Sequence, residues 1–143
     1  MNIEERKQQM QEILKDTVDY YREDPEGRRA VSKSGDCLYT TDDGRHCAIG
    51  RYMRPEFLDV EWKENRGIGV HGLSSHVDYY LKHEVRGLDE DFWRDLQDMH
   101  DKISYWIEWS QDTDGLREYK LTDRGKEQYV YLQDRISKGQ YDD

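Results

Sequence analysis

The stretch Asp89–Ile107, DEDFWRDLQDMHDKISYWI, carries the strongest helical pattern in this chain and decides its fold. Its apolar residues recur at intervals of three and four, which places them on one side of an α-helix. They are Phe92, Trp93, Leu96, Met99, Ile103, Trp106 and Ile107. Asp89 is a typical N-cap residue, and the turn residues from Asp112 to Gly115 end the pattern. We therefore predict a long helix with a buried apolar side and an acidic outer side.

Three more segments predict helices around this one. Ile3 to Asp24 has an apolar stripe, ended by Pro25 and Gly27. Its stripe is Met10, Ile13, Leu14, Thr17, Val18 and Tyr21. Ser74 is a candidate N-cap for a helix closed by Gly87, with Val77, Tyr80, Leu81 and Val85 on one face. Leu116–Leu121 predicts a short strand, and Thr122 then caps a last helix through Ile136, with Tyr129, Leu132 and Ile136 facing inward.

The window Gly35–Gly50, GDCLYTTDDGRHCAIG, predicts a short β-hairpin. Asp42-Asp43-Gly44 supplies the turn chemistry that permits positive φ between two strands. Cys47–Gly50 fits the return strand, and it equally fits the first turn of a short helix that runs to Met53 and stops at Pro55. The fold class that follows is mainly α (α+β), a single domain over residues 1–143 with about four helices and one short β-hairpin.

Composition and charge narrow the class of protein. The chain has 143 residues, of which 38% are charged and only 34% are hydrophobic, yet 11 Tyr and 4 Trp supply large buriable surfaces. No apolar run approaches the length that crosses a bilayer, so we expect a soluble cytoplasmic protein with no membrane partner. The net charge is −10. Residues 27–55 carry six basic and three acidic residues, whereas residues 89–114 carry two basic and nine acidic.

The residues that invite metal or catalytic chemistry have simpler explanations. Cys37 and Cys47 are too far apart in sequence for a zinc knuckle, so we expect packed thiols rather than ligands or a nucleophile. The histidines form no metal motif, and most of them are expected at the surface or half buried; they are His71, His76, His83 and His100. We predict no metal, no cofactor and no catalytic residue.

Two nucleic-acid interpretations stay open beside these. Residues 119–127, YKLTDRGKE, are similar to the exit from the wing of winged-helix regulators, although no basic recognition helix precedes them. The simpler interpretation is that Thr122 is an N-cap and that Gly125 is tolerated in the first turn. The carboxylates of 89–114 are also compatible with mimicry of DNA phosphates. Direct nucleic-acid binding is not expected, because the net charge repels a phosphate backbone.

The pattern Cys37-Leu38-Tyr39, Gly44, Cys47-Ala48-Ile49-Gly50 resembles a group of small proteins encoded by phages and prophages. The segments 27–31, 96–101 and 121–125 also look like that group. His46 departs from the group's pattern, which weakens a zinc site built on it. The resemblance implies an intracellular accessory protein of a phage, of the kind used against host defences or host enzymes.

We therefore expect a non-enzymatic anti-defence or host-takeover protein that binds and inhibits a host protein through charged surfaces. The alternatives are a sponge or hydrolase for an anionic signalling nucleotide, in which arginines hold phosphates and a tyrosine stacks on the base, and a winged-helix-like DNA-binding regulator. The candidate binding residues are Arg28, Arg29, Tyr39, Arg45, Arg51, Tyr52, Asp91, Asp95 and Asp98.

Overall fold

A computed structural model describes residues 2–30, 44–55, 77–106, 108–110, 115–117 and 121–142. This part of the chain is mainly helical, which confirms the predicted class. Its α-helices are α1 (Ile3–Glu23), α2 (Pro25–Arg28), α3 (Val77–Tyr80), α4 (Glu90–Asp101) and α5 (Asp123–Ser137). Short 3-10 turns occupy Gly50–Tyr52, His83–Val85 and Ile103–Tyr105. Among the described residues, no helix is both long enough and apolar enough to cross a bilayer.

The first long helix, α1, begins where the sequence predicts. The Asn2 side chain accepts a hydrogen bond from the backbone N–H of Glu5 at 2.8 Å, which caps the helix. All six residues of its predicted stripe are buried. Asp24 ends α1 and then caps the short α2, since its carboxylate accepts from the N–H of Gly27 at 3.0 Å. Pro25 and Gly27 therefore lie in a second helix instead of only ending the first.

Helix α4 is shorter than the sequence predicts. Asp89 caps it as expected, accepting from the N–H of Asp91 at 2.7 Å, and the helix buries Phe92, Trp93, Leu96 and Met99. Lys102 is extended, however, so the helix ends at Asp101 instead of continuing past Ile107. The buried Trp106 reaches the core by folding back, and its indole N–H donates to the carbonyl oxygen of Met99 at 2.8 Å.

The predicted helix from Ser74 to Gly87 is broken. Ser74 lies outside the described residues, and after α3 the chain extends at Leu81, which forms a bridge with Met53. The N–H of Arg54 donates to Tyr80 O at 2.8 Å, and the N–H of Lys82 donates to Tyr52 O at 2.9 Å. These bonds to a distant segment take the place of the next helical turn, and Gly87 then closes the region at φ 90°.

The predicted β-hairpin at Cys37–Gly50 is not shown. Residues 31–43 lie outside the described residues, and Gly50–Tyr52 forms a 3-10 turn, which is the helical alternative for this segment. The described strands are elsewhere: β1 (Glu108–Ser110) pairs antiparallel with β2 (Gly115–Arg117). The strand expected from Leu116 thus begins one residue earlier and pairs with a segment that directly follows the predicted helical stripe.

Helix α5 confirms the C-terminal prediction and closes the core. The Thr122 hydroxyl accepts from the N–H of Gly125 at 3.0 Å and donates to Ser104 O at 2.7 Å. Leu132 and Ile136 are buried, and Tyr129 is half buried against the same core. The core therefore lies where α1, α4 and α5 meet, and its largest members are Trp93, Trp106 and Tyr21.

Candidate functional site

Arg29, predicted as a binding residue, lies inside the protein and is only 4% exposed. Its Nε donates to the carbonyl oxygen of His100 at 2.7 Å, and a terminal nitrogen donates to the carbonyl oxygen of Asp101 at 2.7 Å. These carbonyls belong to the last turn of α4, where intrahelical donors run out and the helix dipole is negative. The guanidinium of Arg29 therefore caps the C-terminal end of α4 at Asp101.

His100 is fully buried, so it is an exception to the expectation that most of the histidines lie at the surface or half buried. The backbone N–H of Ala30 donates to its Nε2 at 3.2 Å, and its Nδ1 lies 2.7 Å from a carboxylate oxygen of Asp101. Because Nε2 accepts, the proton sits on Nδ1 and points to Asp101. Burial lowers the pKa of His100, and nearby Arg29 lowers it further against the opposing effect of Asp101.

Gln97 joins the same network to a third segment. Its side-chain oxygen accepts from the N–H of Ile49 at 3.2 Å, and its amide nitrogen donates to Asp101 at 2.9 Å. The Tyr21 hydroxyl donates to the carbonyl oxygen of His46 beside it. We call this network the junction; it consists of Arg29, Ala30, Ile49, Gln97, His100 and Asp101. Its residues come from three parts of the chain: residues 29–30, residue 49 and residues 97–101.

The junction holds chain segments together and offers no reacting group to a substrate. Both ring nitrogens of His100 are occupied, and the ring is enclosed, with the Tyr21 ring packed edge-on at 4.9 Å. A general acid or base must come within hydrogen-bonding distance of its substrate, directly or through one water. Within the described residues no cluster of histidine, cysteine and carboxylate side chains fits a metal ion either.

The other predicted arginines make contacts within the protein. Arg28 donates to Tyr20 O at 2.7 Å and pairs with Glu23 at 3.1 Å. Arg51 pairs with Asp16 at 2.9 Å, and its guanidinium lies 3.9 Å from the centroid of the Tyr20 ring. Arg28 also lies over that ring, at 4.5 Å. The structure thus brings Arg28 and Arg51 together at Tyr20, with two carboxylates already beside them.

Arg45 and Tyr52, which were also predicted as binding residues, already make hydrogen bonds within the protein. Arg45 donates to the backbone oxygen of Arg29 at 3.0 Å. The Tyr52 hydroxyl donates to Asp16 at 2.6 Å, and burial together with that bond raises the pKa of Tyr52. Tyr39 lies outside the described residues. A phosphate at this site would have to displace carboxylates from the arginines, so phosphate binding stays a prediction.

The predicted acidic residues of α4 do share one side of the helix. Asp91, Asp95 and Asp98 follow one another at intervals of four and three residues, and we call them the acidic face. Asp91 pairs with Arg94 at 2.7 Å. Asp95 accepts from the Tyr141 hydroxyl and lies 3.7 Å from Arg135.

Asp98 differs from the other two because it is exposed and forms no ion pair with any described residue. Partial desolvation raises the pKa of its carboxyl, and the charges of Asp101 and Asp95 raise it further. Asp101 links this face to the junction, because its carboxylate also accepts from His100 and Gln97. Within the part of the chain that the structure describes, the acidic face therefore has two carboxylates in ion pairs, Asp91 and Asp95, and one that forms none, Asp98.

Cys47 confirms the packing prediction. It is a free thiol with no exposed surface, and the N–H of Gly50 donates to its sulfur at 3.2 Å. A buried thiol in such a contact is a small apolar packing group and has no access to a substrate. Cys37 lies outside the described residues, so its state stays a prediction.

Comparison with protein families, with curated proteins and with solved structures finds no match for this chain. One part of the site that sequence reasoning missed carried a readable signal. His100 follows Leu96 by four residues and Trp93 by seven, so its position is on the apolar side of α4.

Proposed function

We propose that the protein is a non-enzymatic binding protein that docks through its acidic face onto a basic surface of a host protein and inhibits it. The observation that supports this proposal most directly is Asp98. Its exposed carboxylate forms no ion pair with any described residue, and its position beside Asp95 and Asp101 disfavours its charged form and leaves it open to an opposite charge from outside. A lysine or arginine of a partner supplies the missing opposite charge, which speeds association and fixes its orientation.

The arginines that were predicted as binding residues are less suited to docking than the acidic face. Arg28 and Arg51 already pair with Glu23 and Asp16, and Arg29 is buried in the junction. The phage setting comes from the sequence resemblance, and it makes a host defence protein or a host enzyme the expected partner. We propose inhibition because masking a basic surface blocks whatever acidic ligand that surface normally binds.

A capture experiment with matched charge variants tests the docking surface. The test variant is Asp91→Asn with Asp98→Asn; Asp95 is left intact because it holds Tyr141. The control variant is Asp123→Asn with Glu127→Gln, which removes the same charge from exposed positions of α5. A host protein should be captured by the wild type and by the control, be lost with the test variant, and dissociate as salt rises. Equal capture by both variants would show that the acidic face is not the docking surface.

The nucleotide alternative rests on a different observation, the convergence of Arg28 and Arg51 on the Tyr20 ring. A nucleotide that binds the folded state raises the melting temperature by mass action. We expect no rise with a panel of cyclic and linear nucleotides. A rise that the variant Arg28→Gln with Arg51→Gln abolishes would instead establish the sponge, and consumption of the nucleotide would establish the hydrolase.

A further inference from the structure

His100 occupies a position that only its neutral form fits. Its Nε2 faces the backbone N–H of Ala30 at 3.2 Å, and its Nδ1 faces Asp101 at 2.7 Å. Neutral imidazole has one acceptor nitrogen and one donor nitrogen, and this surrounding uses both. Imidazolium has two donors, so its Nε2–H would point at the N–H of Ala30.

Protonation therefore breaks the bond from Ala30 whatever happens at the other nitrogen. Two donors facing each other in a buried site leave both unsatisfied, which is costly. Among the described residues, the charged groups around the ring are Asp101 on α4 and Arg29 on the adjoining segment, while α1 contributes the ring of Tyr21. Asp101 favours the imidazolium, and Arg29 opposes it together with burial. The least disruptive response is a local movement of residues 29 and 30 away from α4.

We propose that the junction is an acid-sensitive latch, in which protonation of His100 releases Arg29 and Ala30 from the end of α4. Release of Arg29 removes the two donors that cap the carbonyls of His100 and Asp101. The last turn of α4 then loses its cap next to the acidic face. Acid thus loosens the junction, between the segment that follows α2 and the end of α4, before it unfolds the whole protein.

Amide hydrogen exchange, resolved by residue with NMR, measures this opening. When the open form binds the proton with an ordinary histidine pKa of about 6.5, its population rises by up to about 25-fold as pH falls from 7.0 to 5.0. Protection of the Ala30 amide, corrected for the intrinsic exchange rate, should fall by that factor. Protection of the Val18 amide in the core of α1 should fall much less. Equal losses at both amides would be global acid unfolding and would overturn the latch.

Two substitutions assign the proton to His100. His100→Gln removes the titrating group and should abolish the pH dependence at Ala30. His83→Gln removes an exposed histidine outside the junction and should leave that dependence unchanged. A wild-type dependence below twofold, or one that persists in His100→Gln, would overturn the proposal.

The wild type alone gives a second readout, which holds even where His100→Gln does not fold. The ring ¹⁵N shifts of His100 should show Nε2 as the acceptor near neutral pH. The loss of that signature should share its pH midpoint with the loss of protection at Ala30. Titration of the ring with Ala30 still protected would overturn the latch as well.

Discussion

The guanidinium Nε of Arg29 donates to the backbone oxygen of His100 at 2.7 Å, although the two residues are 71 positions apart in the chain. This one contact ties the segment after α2 to the end of α4. In the sequence, Arg29 looks like part of a basic binding surface. In the structure it caps α4 instead, so its substitution should lower the free energy of unfolding.

Arg29→Ala should destabilise the protein by about 2–4 kcal/mol, because two buried carbonyl oxygens lose charged donors and a cavity forms. Arg29→Lys should recover only part of this loss, since a single ammonium cannot reproduce the planar fork. Urea unfolding followed by circular dichroism gives both values. Arg124→Ala, at an exposed position of α5, is the control and should change stability by less than about 0.5 kcal/mol. An equally small effect at Arg29 would contradict the capping role.

Gly125→Ala should destabilise the protein by about 1–3 kcal/mol although alanine is the better helix former. A Cβ at this position would collide with the backbone oxygen of Tyr105 and the side chain of Leu121. A backbone oxygen cannot rotate away, so the 3-10 turn Ile103–Tyr105 and α5 must move apart. Thermal unfolding of this variant and of Lys126→Ala, an exposed neighbour, separates packing from helix propensity. A stabilised Gly125→Ala would mean that the two segments are not in close contact.

Asp98→Asn should raise the melting temperature at pH 7 while it weakens partner binding. The pKa of Asp98 is raised in the folded state, so its charged form is disfavoured there. Stability therefore increases as pH falls through the raised pKa, and the neutral amide provides that gain at any pH. Melting curves at pH 7 and pH 3 test this: the difference between variant and wild type should vanish at pH 3. Asp91→Asn, which loses its pair with Arg94, should not stabilise.

Two tyrosines should make the fold sensitive to alkali. Burial first, and then hydrogen bonds to Asp16 and Asp95, raise the pKa values of Tyr52 and Tyr141 far above 10. Unfolded tyrosines ionise near pH 10, so the stability due to these two is complete below that pH and is lost as pH rises above it. The variant Tyr52→Phe with Tyr141→Phe should lose less stability than wild type between pH 9 and 11. Tyr131→Phe, whose ring is exposed, should behave like wild type.

The starts of the long helices could be predicted because their signals are local. Asp89 and Thr122 cap α4 and α5 with their own side chains, two and three residues ahead. The stripe of α1 is equally local, since positions three and four apart meet on one helix face in any context. Placement of the acidic residues on one side of α4 follows from the same periodicity. These parts of the fold needed no information from elsewhere in the chain.

The end of α4 and the break after α3 could not be predicted in this way. The pattern through Ile107 is helical in spacing, yet Arg29 takes the carbonyls at the end of α4 and Trp106 turns back to Met99. The chain leaves the helical path at Leu81 because the segment around Met53 offers backbone partners to its neighbours Tyr80 and Lys82. Arg29 and the segment at Met53 lie far away in sequence from the backbone groups that they bond. Trp106 lies near Met99 in sequence, but it reaches Met99 only because the chain turns back after α4.

The sequence by itself determined where the long helices α1, α4 and α5 begin, which side of each is apolar and where the acidic charges lie, because periodicity and capping act within a few residues. Only the tertiary structure decided that Arg29 and His100 are buried partners and that Asp98 forms no ion pair with any described residue. Burial and pairing are properties of surfaces brought together from distant segments. On an open surface, Arg29, His100 and Asp101 would be available to a ligand. Here they are bonded within the junction and hold segments of the chain together.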